Sequence, residues 1–207
     1  MKQLFPALGV VVEAVASTRI PPERMHVLQP LIRFIQQEME RQPEVHLNFI
    51  CTHNSRRSQF AQLWMHTFAH LHGLPIRSYS GGVEITALNE RAVESLRRSG
   101  FRLDLERAGV NPLYAAYFSP DLPPLRMHSK LFDDPANASE HFAAVMTCSH
   151  ADENCPFIPG AAERIAVRYD DPKEFDNTAE EAARYDERSH EIASEMHYVC
   201  AEIAKPS

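Results

Sequence analysis

Asn48-Phe49-Ile50-Cys51-Thr52-His53-Asn54-Ser55-Arg56-Arg57-Ser58 decides how the rest of the chain is read. An apolar run of Val45, Leu47, Phe49 and Ile50 predicts a buried strand that stops at Cys51. Seven residues on, an amphipathic helix begins, with Phe60, Trp64, Phe68 and Leu71 turned inward and Gly73 ending it. The connecting loop reads Cys-x5-Arg-Ser. A loop wrapping into a helix N-terminus turns several backbone N–H groups toward one point, here those of Thr52, His53, Asn54, Ser55 and Arg56, and such a cradle binds a tetrahedral anion. The same donors favour the thiolate of a cysteine at the rim, which is its nucleophilic form. Arg57 can grip two oxygens of the anion as a planar fork, a geometry lysine lacks. Ser58 is placed to hydrogen-bond the sulfur, and Asn54 tolerates the left-handed backbone such a loop requires. The plainer reading is a buried cysteine beside a surface arginine. Strand, loop composition and following helix agree with one another, which is the context a functional motif needs.

Composition narrows the class. The 207 residues suffice for one domain with extensions, and 44% hydrophobic with 24% charged residues is ordinary for a globular chain. A formal charge of −7 with no Lys/Arg cluster argues against a nucleic-acid surface. No apolar run approaches the ~20 residues that span a membrane. Lys2, the apolar Leu4 to Val12 and Ala14-Val15-Ala16 loosely imitate a signal peptide, but Pro6 breaks the run and Glu13 interrupts it. Leu4, Leu8, Val11, Val12 and Val15 recur instead at helical spacing. Four cysteines (51, 148, 155 and 200) are too few and too unevenly spaced for a disulfide scaffold, so they read as thiols of a reducing compartment. The cytoplasm is expected.

Two helices open the chain, over 1–18 and 23–41, separated by Ile20-Pro21-Pro22. Beyond the first strand and its helix, Ile76 to Ser80 predicts a second strand and residues 89–99 a helix capped by Asn89 and closed by Gly100. Residues 109–138 form a turn-rich excursion with two short strands at most. Phe142 to Thr147 predicts a third strand ending at Cys148, and 164–168 a fourth that runs into Tyr169-Asp170-Asp171-Pro172. A long helix covers 178–204. Alternating strands and helices predict an α/β fold with a four-stranded, mostly parallel sheet between two other layers, plus N-terminal helices. In such sheets ligands sit at the carboxyl ends of strands. Cys51, Cys148 and Asp171 all fall there.

Cys148 and Cys155 enclose a polar stretch expected to be a mobile turn. A thiol near Cys51 can attack it, form a disulfide and hand that disulfide to a third thiol. Each cysteine also reads as a small buried hydrophobe, and Cys148, His150 and Cys155 as zinc ligands, although the usual Cys-x2-Cys spacing is missing. Asp171, fixed by Pro172, is a candidate general acid for an oxygen leaving the bound anion, and Asp133-Asp134-Pro135 reads as a plain turn. His66 and His70 share a helix face without a third ligand and are assigned to the helix surface. Cys200 is assigned to the edge of the core.

Assembled, these residues resemble the low-molecular-weight tyrosine phosphatase superfamily, and within it the thioredoxin-coupled arsenate reductases. The similarity covers residues 45–204: the loop Cys51-Thr52-x-Asn54-Ser55-x-Arg57-Ser58-Gln59, Tyr79-Ser80-Gly81-Gly82, Val145-Met146-Thr147-Cys148, Cys155-Pro156 and Asp170-Asp171-Pro172. It implies a catalytic domain over 45–207, with residues 109–138 as an insertion that could cover the pocket, preceded by a helical extension over 1–44. It further implies a three-thiol relay. Cys51 attacks arsenate held by the loop and Arg57 while Asp171 protonates the departing oxygen. Cys148 resolves the adduct, Cys155 attacks Cys148, and thioredoxin reduces the final disulfide. The phosphatase alternative keeps Cys51, Arg57 and Asp171 for a phosphomonoester and makes Cys148 and Cys155 bystanders or oxidation protectors. Gln62 stands where some reductases carry an acidic residue that helps hold potassium, so that ion is not expected; no metal ligand set and no bound cofactor is assigned.

Overall fold

A computed structural model describes residues 3–154 and 157–205. In chain order the elements are α1 (Pro6–Ala16), α2 (Pro22–Arg41), β1 (Val45–Cys51), α3 (Arg57–His72), β2 (Ile76–Gly82), α4 (Glu90–Arg98), β3 (Arg102–Arg107), β4 (Leu113–Tyr117), β5 (Leu125–Met127), β6 (Phe142–Met146), α5 (Ser149–Asn154), β7 (Ala161–Ala166), a 3-10 turn (Pro172–Phe175) and α6 (Glu181–Ile203). The main sheet has the order β2-β1-β6-β7 with every pairing parallel. A second, antiparallel sheet has the order β3-β4-β5.

Alternation along the central strands divides the interior in two. Leu47 and Phe49 of β1, with Ala143 and Val145 of β6, face the helices and join Trp64, Phe68, Tyr185, Ile192 and Val199 in the larger core. Ile50, Cys51, Ala144, Met146 and Cys148 belong to the opposite cluster, closed by Ala151 of α5 and by Ile158, Phe132 and Ala138. The fold is therefore three layers: helices, sheet, and a thin third layer of α5 with neighbouring loops. α3 is buried almost all round, from Ser58 to Met65 and again at Thr67 to Ala69, because α6 packs against it as well as the sheet. Leu8, Val15, Leu28, Leu31, Ile32 and Ile35 of the first two helices belong to the same large core, so α1 and α2 are built into it.

Several elements depart from the sequence reading. β3 arises where no strand was expected, because five of its six residues are exposed and only Leu103 is buried. The excursion over 109–138 contains β4 and β5, and β3 before it completes their sheet. β7 begins three residues earlier than expected: Glu163 and Arg164, on the edge strand, hide its pattern. The stretch after Cys148, read as a mobile turn, is the short helix α5. Asp152, buried on α5, forms ion pairs with Arg164 and Arg168 and ties the helix to the edge of the sheet. His66 and His70, read as helix surface, pack against Phe118 with ring centroids 5.6 and 5.1 Å away.

Candidate active site

At the carboxyl end of β1 the chain leaves the sheet at Cys51 and enters α3 at Arg57. Between them the carbonyls are turned outward. Thr52 O accepts from Val83 N (2.8 Å) and Glu84 N (3.0 Å), and Ser55 O from Asn89 N (3.0 Å). His53 O accepts from Ser129 Oγ (2.8 Å), and Asn54 O from Gln59 Nε2 (3.0 Å). Among the described residues none of the amide N–H groups from Thr52 to Ser58 has a protein acceptor, and α3 has no side-chain cap at its N-terminus. A loop with its carbonyls tied to the scaffold and its amides uncommitted is a donor-lined cradle for an oxyanion. Gly82 permits the close approach, since a Cβ there would lie 2.8 Å from Asn54 N and 2.9 Å from His53 C.

The surroundings of the Cys51 sulfur follow from one asparagine. Asn54 has φ 47°, in the left-handed region. Lys130 N donates to its Oδ1 (3.0 Å), which fixes the amide and leaves Nδ2 to donate to Ser58 Oγ (2.9 Å). With that bond accepted, the Ser58 hydroxyl is free to donate to Cys51 Sγ, 3.1 Å away. All three side chains are buried. Lys130, Ser129 and His128 thus form a strut under the loop, because His128 O also accepts from Gln59 Nε2 (2.8 Å).

Arg57 and Asp171 are brought together. Asp171 Oδ1 accepts from Lys173 N (3.1 Å) as the cap of the 3-10 turn, and Oδ2 accepts from Arg57 Nη2 at 2.6 Å. Arg57 Nη1 donates to Tyr169 O (3.0 Å), and Nε is buried without an acceptor among the described residues. The guanidinium is thus held from behind by the loop after β7, with Nε and the amides left for a ligand. Arg56 is otherwise engaged: its Nε donates to Tyr185 Oη (2.8 Å), which in turn donates to Asp176 Oδ1 (2.7 Å). Burial and that bond push the Tyr185 phenol well up.

Cys148 sits one strand over. Thr147 N and Oγ1 both donate to Ile50 O (2.8 and 2.9 Å), which sets the end of β6 beside Cys51. Cys148 is a buried free thiol, like Cys51, and its Sγ accepts from Ala151 N at the start of α5 (3.4 Å). Thr52 Oγ1 bridges the two strand ends, 3.4 Å from Cys148 Sγ and 3.3 Å from His150 Nδ1. Cys155, the expected third thiol, lies outside the described residues. Cys200 is buried on α6 with Met65 Sδ at 3.6 Å, and burial pushes its thiol well up, so it takes no part.

Two features escaped the sequence reading. One is a buried relay behind Arg57: Tyr169 donates to Glu195 Oε2 (2.7 Å), and Arg24 Nε and Nη2 donate to Glu195 Oε1 and Oε2 (2.6 and 2.8 Å). Burial and the Glu195 carboxylate push the Tyr169 phenol well up. The relay joins α2, α6 and the loop after β7, whose sequence separations carry no local signal. The other is a cleft of about 760 Å³ beside the loop, with His53, Ser55 and Arg56 on one side and Leu105, Val110 and Tyr114 on the other.

No family model matches the chain. Among curated relatives it is 30% identical over 133 residues to the arsenate reductase of Bacillus licheniformis, a match covering 64% of this chain and 78% of that protein. It is 29% identical over 124 residues to arsenate reductase 2 of Staphylococcus epidermidis, covering 60% and 76% respectively. A low-molecular-weight phosphotyrosine phosphatase from Vibrio cholerae O395 superposes with a TM-score of 0.53 at 12% identity, covering 76% of this chain and 95% of that one. The low-molecular-weight protein tyrosine phosphatase of T. tengcongensis gives 0.53 at 13% identity, covering 77% and 99%. At those identities the structural matches speak for the fold alone.

Proposed function

The chain belongs to the family of the bacterial arsenate reductases, with the fold of the low-molecular-weight tyrosine phosphatases, and on that premise we propose that it reduces arsenate to arsenite through a relay of cysteines. The observation that carries this reading is the second buried thiol, Cys148, set at the strand end next to that of Cys51 and joined to its loop through Thr52. In the phosphatase reading this thiol is a bystander or a protector of Cys51 against oxidation.

The cradle amides and Arg57 Nε hold the oxyanion beside Cys51, and the anion competes with Asp171 for the guanidinium. Cys51 sulfur attacks arsenic, an S–As bond forms, and the oxygen that leaves takes a proton from Asp171. Cys148 then attacks Cys51 sulfur. The S–As bond breaks with its electron pair remaining on arsenic, so arsenic(V) becomes arsenic(III) and the two cysteines become a disulfide. Two thiol electrons are consumed per arsenate. Cys155 attacks Cys148 next, freeing Cys51 and passing the disulfide outward, where a thioredoxin-type dithiol reduces it. Thr52 and the amide of Ala151 are the groups that steady Cys148 sulfur in these exchanges.

In a coupled assay containing arsenate and a thioredoxin system, Cys148→Ser is expected to abolish steady turnover while still permitting one round of Cys51 chemistry. Turnover unaffected by that change excludes the relay. A phosphatase reading has one specific observation in its favour, the cleft of about 760 Å³ beside the loop, which exceeds what a lone arsenate needs. That activity would be lost in Cys51→Ser and indifferent to Cys148→Ser.

A further inference from the structure

On the far side of the strut that carries the loop lies a second cavity, of about 420 Å³, between β2, α3 and the β4–β5 sheet. Its lining includes Arg77, Arg107, Arg126, Lys130, His66 and His128, and among the described residues no carboxylate lines it. In a chain of net charge −7 that is a strongly one-sided surface. Glu44 pairs with Arg77 and Glu106 with Arg126, each at 3.0 Å, from outside the lining, and both arginines are exposed. Arg107 and Lys130 have no ion-pair partner among the described residues. Lys130 is only 4% exposed, with no hydrogen bond to its ammonium group. His128 Nδ1 is buried without a partner among the described residues. The ammonium itself is not sealed from solvent, so a side chain buried along its stem presents an unpaired charge at the cavity. Burial pushes Lys130 down to about 8, and the Asp134 carboxylate, which also acts on His128, opposes that shift without an ion-pair contact to either.

We propose that this cavity is a second anion site, distinct from the Cys51 loop, that takes a small sulfate- or phosphate-type dianion on Lys130, His128 and Arg107. The site is coupled to the loop by main chain: Lys130 N holds Asn54 Oδ1, Lys130 O accepts from Gly82 N (2.8 Å), and His128 O holds Gln59. An anion on the Lys130 side chain therefore stiffens the strut that orients Asn54 and Ser58. The inference does not depend on which reaction Cys51 performs.

Inorganic sulfate, titrated against chloride at matched ionic strength, is the probe, and backbone amide NMR shifts are the readout. Since sulfate is also expected in the catalytic loop, the titration is run in Arg57→Ala as well as in the unsubstituted protein. Saturable shifts at Ser78, Tyr79, Arg107 and Lys130 are expected in both, and Lys130→Met is expected to weaken them at least tenfold while those at residues 52–58 persist. Lys130→Met keeps an apolar stem of similar length in the buried position, so it is not expected to unfold the chain. Arg107→Gln, on the exposed rim, provides an independent variant with weakened binding. Three results would each overturn the proposal: shifts confined to the loop, shifts reproduced by chloride, or shifts unchanged in both Lys130→Met and Arg107→Gln.

Discussion

Replacing Arg24 with alanine removes a side chain from α2, in the N-terminal segment, yet the structure connects it to Arg57 of the anion loop. Glu195 is 2% exposed and receives three donors: Arg24 Nε and Nη2, and Tyr169 Oη. The guanidinium also lies 5.1 Å from the centre of the Tyr169 ring. Without Arg24 the carboxylate stays buried with a single donor. Breaking a buried pair in this way costs about 3–5 kcal/mol. The Arg24 side chain is 22% exposed, so water recovers part of the loss, and about 2–3 kcal/mol is the better figure. For a chain of this size that lowers Tm by roughly 5–10 °C. Tyr169 O holds Arg57 Nη1, so a loosened Tyr169 also displaces the fork. A shift of ~1 Å at such a position costs up to ~100-fold, and a fall in kcat/KM of at least about tenfold is expected here. Urea unfolding measures the first effect and steady-state kinetics the second. The double variant Arg24→Met with Glu195→Gln, which removes the uncompensated charge and keeps an acceptor for Tyr169, is expected to regain most of the lost stability. A loss below about 1 kcal/mol, far short of a buried-pair penalty, or an unchanged kcat/KM in Arg24→Ala, would refute the connection.

Gly82→Ala drives a methyl group into the loop backbone at Asn54 N and His53 C, and a cost of about 1–3 kcal/mol is expected, with activity falling further than stability. Gly9→Ala in α1, where a Cβ meets nothing within 4 Å, serves as the contrast and is expected to stabilise by about 0.5–1 kcal/mol; equal effects at the two glycines would contradict the reading. His66, pushed down to about 4 by burial and by His70, is held neutral in the fold. The unfolded chain therefore takes up its proton first, and stability present above pH ~6.5 is lost as pH falls toward ~4, by about 3 kcal/mol in all. His66→Gln is expected to flatten that acid limb in chemical unfolding measured across the interval, and an unchanged slope would count against it.

The sequence is legible where chemistry and periodicity are local. Asn89 caps α4 by accepting from Arg91 N at 3.0 Å, and Gly73 and Gly100 end their helices with φ of 68° and 95°. The strand, loop and helix over 45–72 also appear as read, since buried β-branched and aromatic residues leave little ambiguity there. What escaped is non-local or masked by exposure. β3 and β7 are edge strands with polar residues on their open sides, so their alternation is weak. α5 is a six-residue helix fixed by Asp152 and two arginines, Arg164 of β7 and Arg168 just beyond it, which no local propensity signals. The Lys130 strut and the Arg24–Glu195–Tyr169 relay join residues 76 and 171 positions apart. Their ionic and hydrogen-bonding partners become neighbours only once the sheet has formed.

The relay between Cys51 and Cys148 is tested most directly by mapping disulfides by mass after a single exposure to arsenate, in the unsubstituted protein and in Cys155→Ser. A trapped bond between Cys51 and Cys148 in Cys155→Ser, with one arsenite released per chain, is the expected result. Free thiols at both positions after arsenate has been consumed would contradict the account.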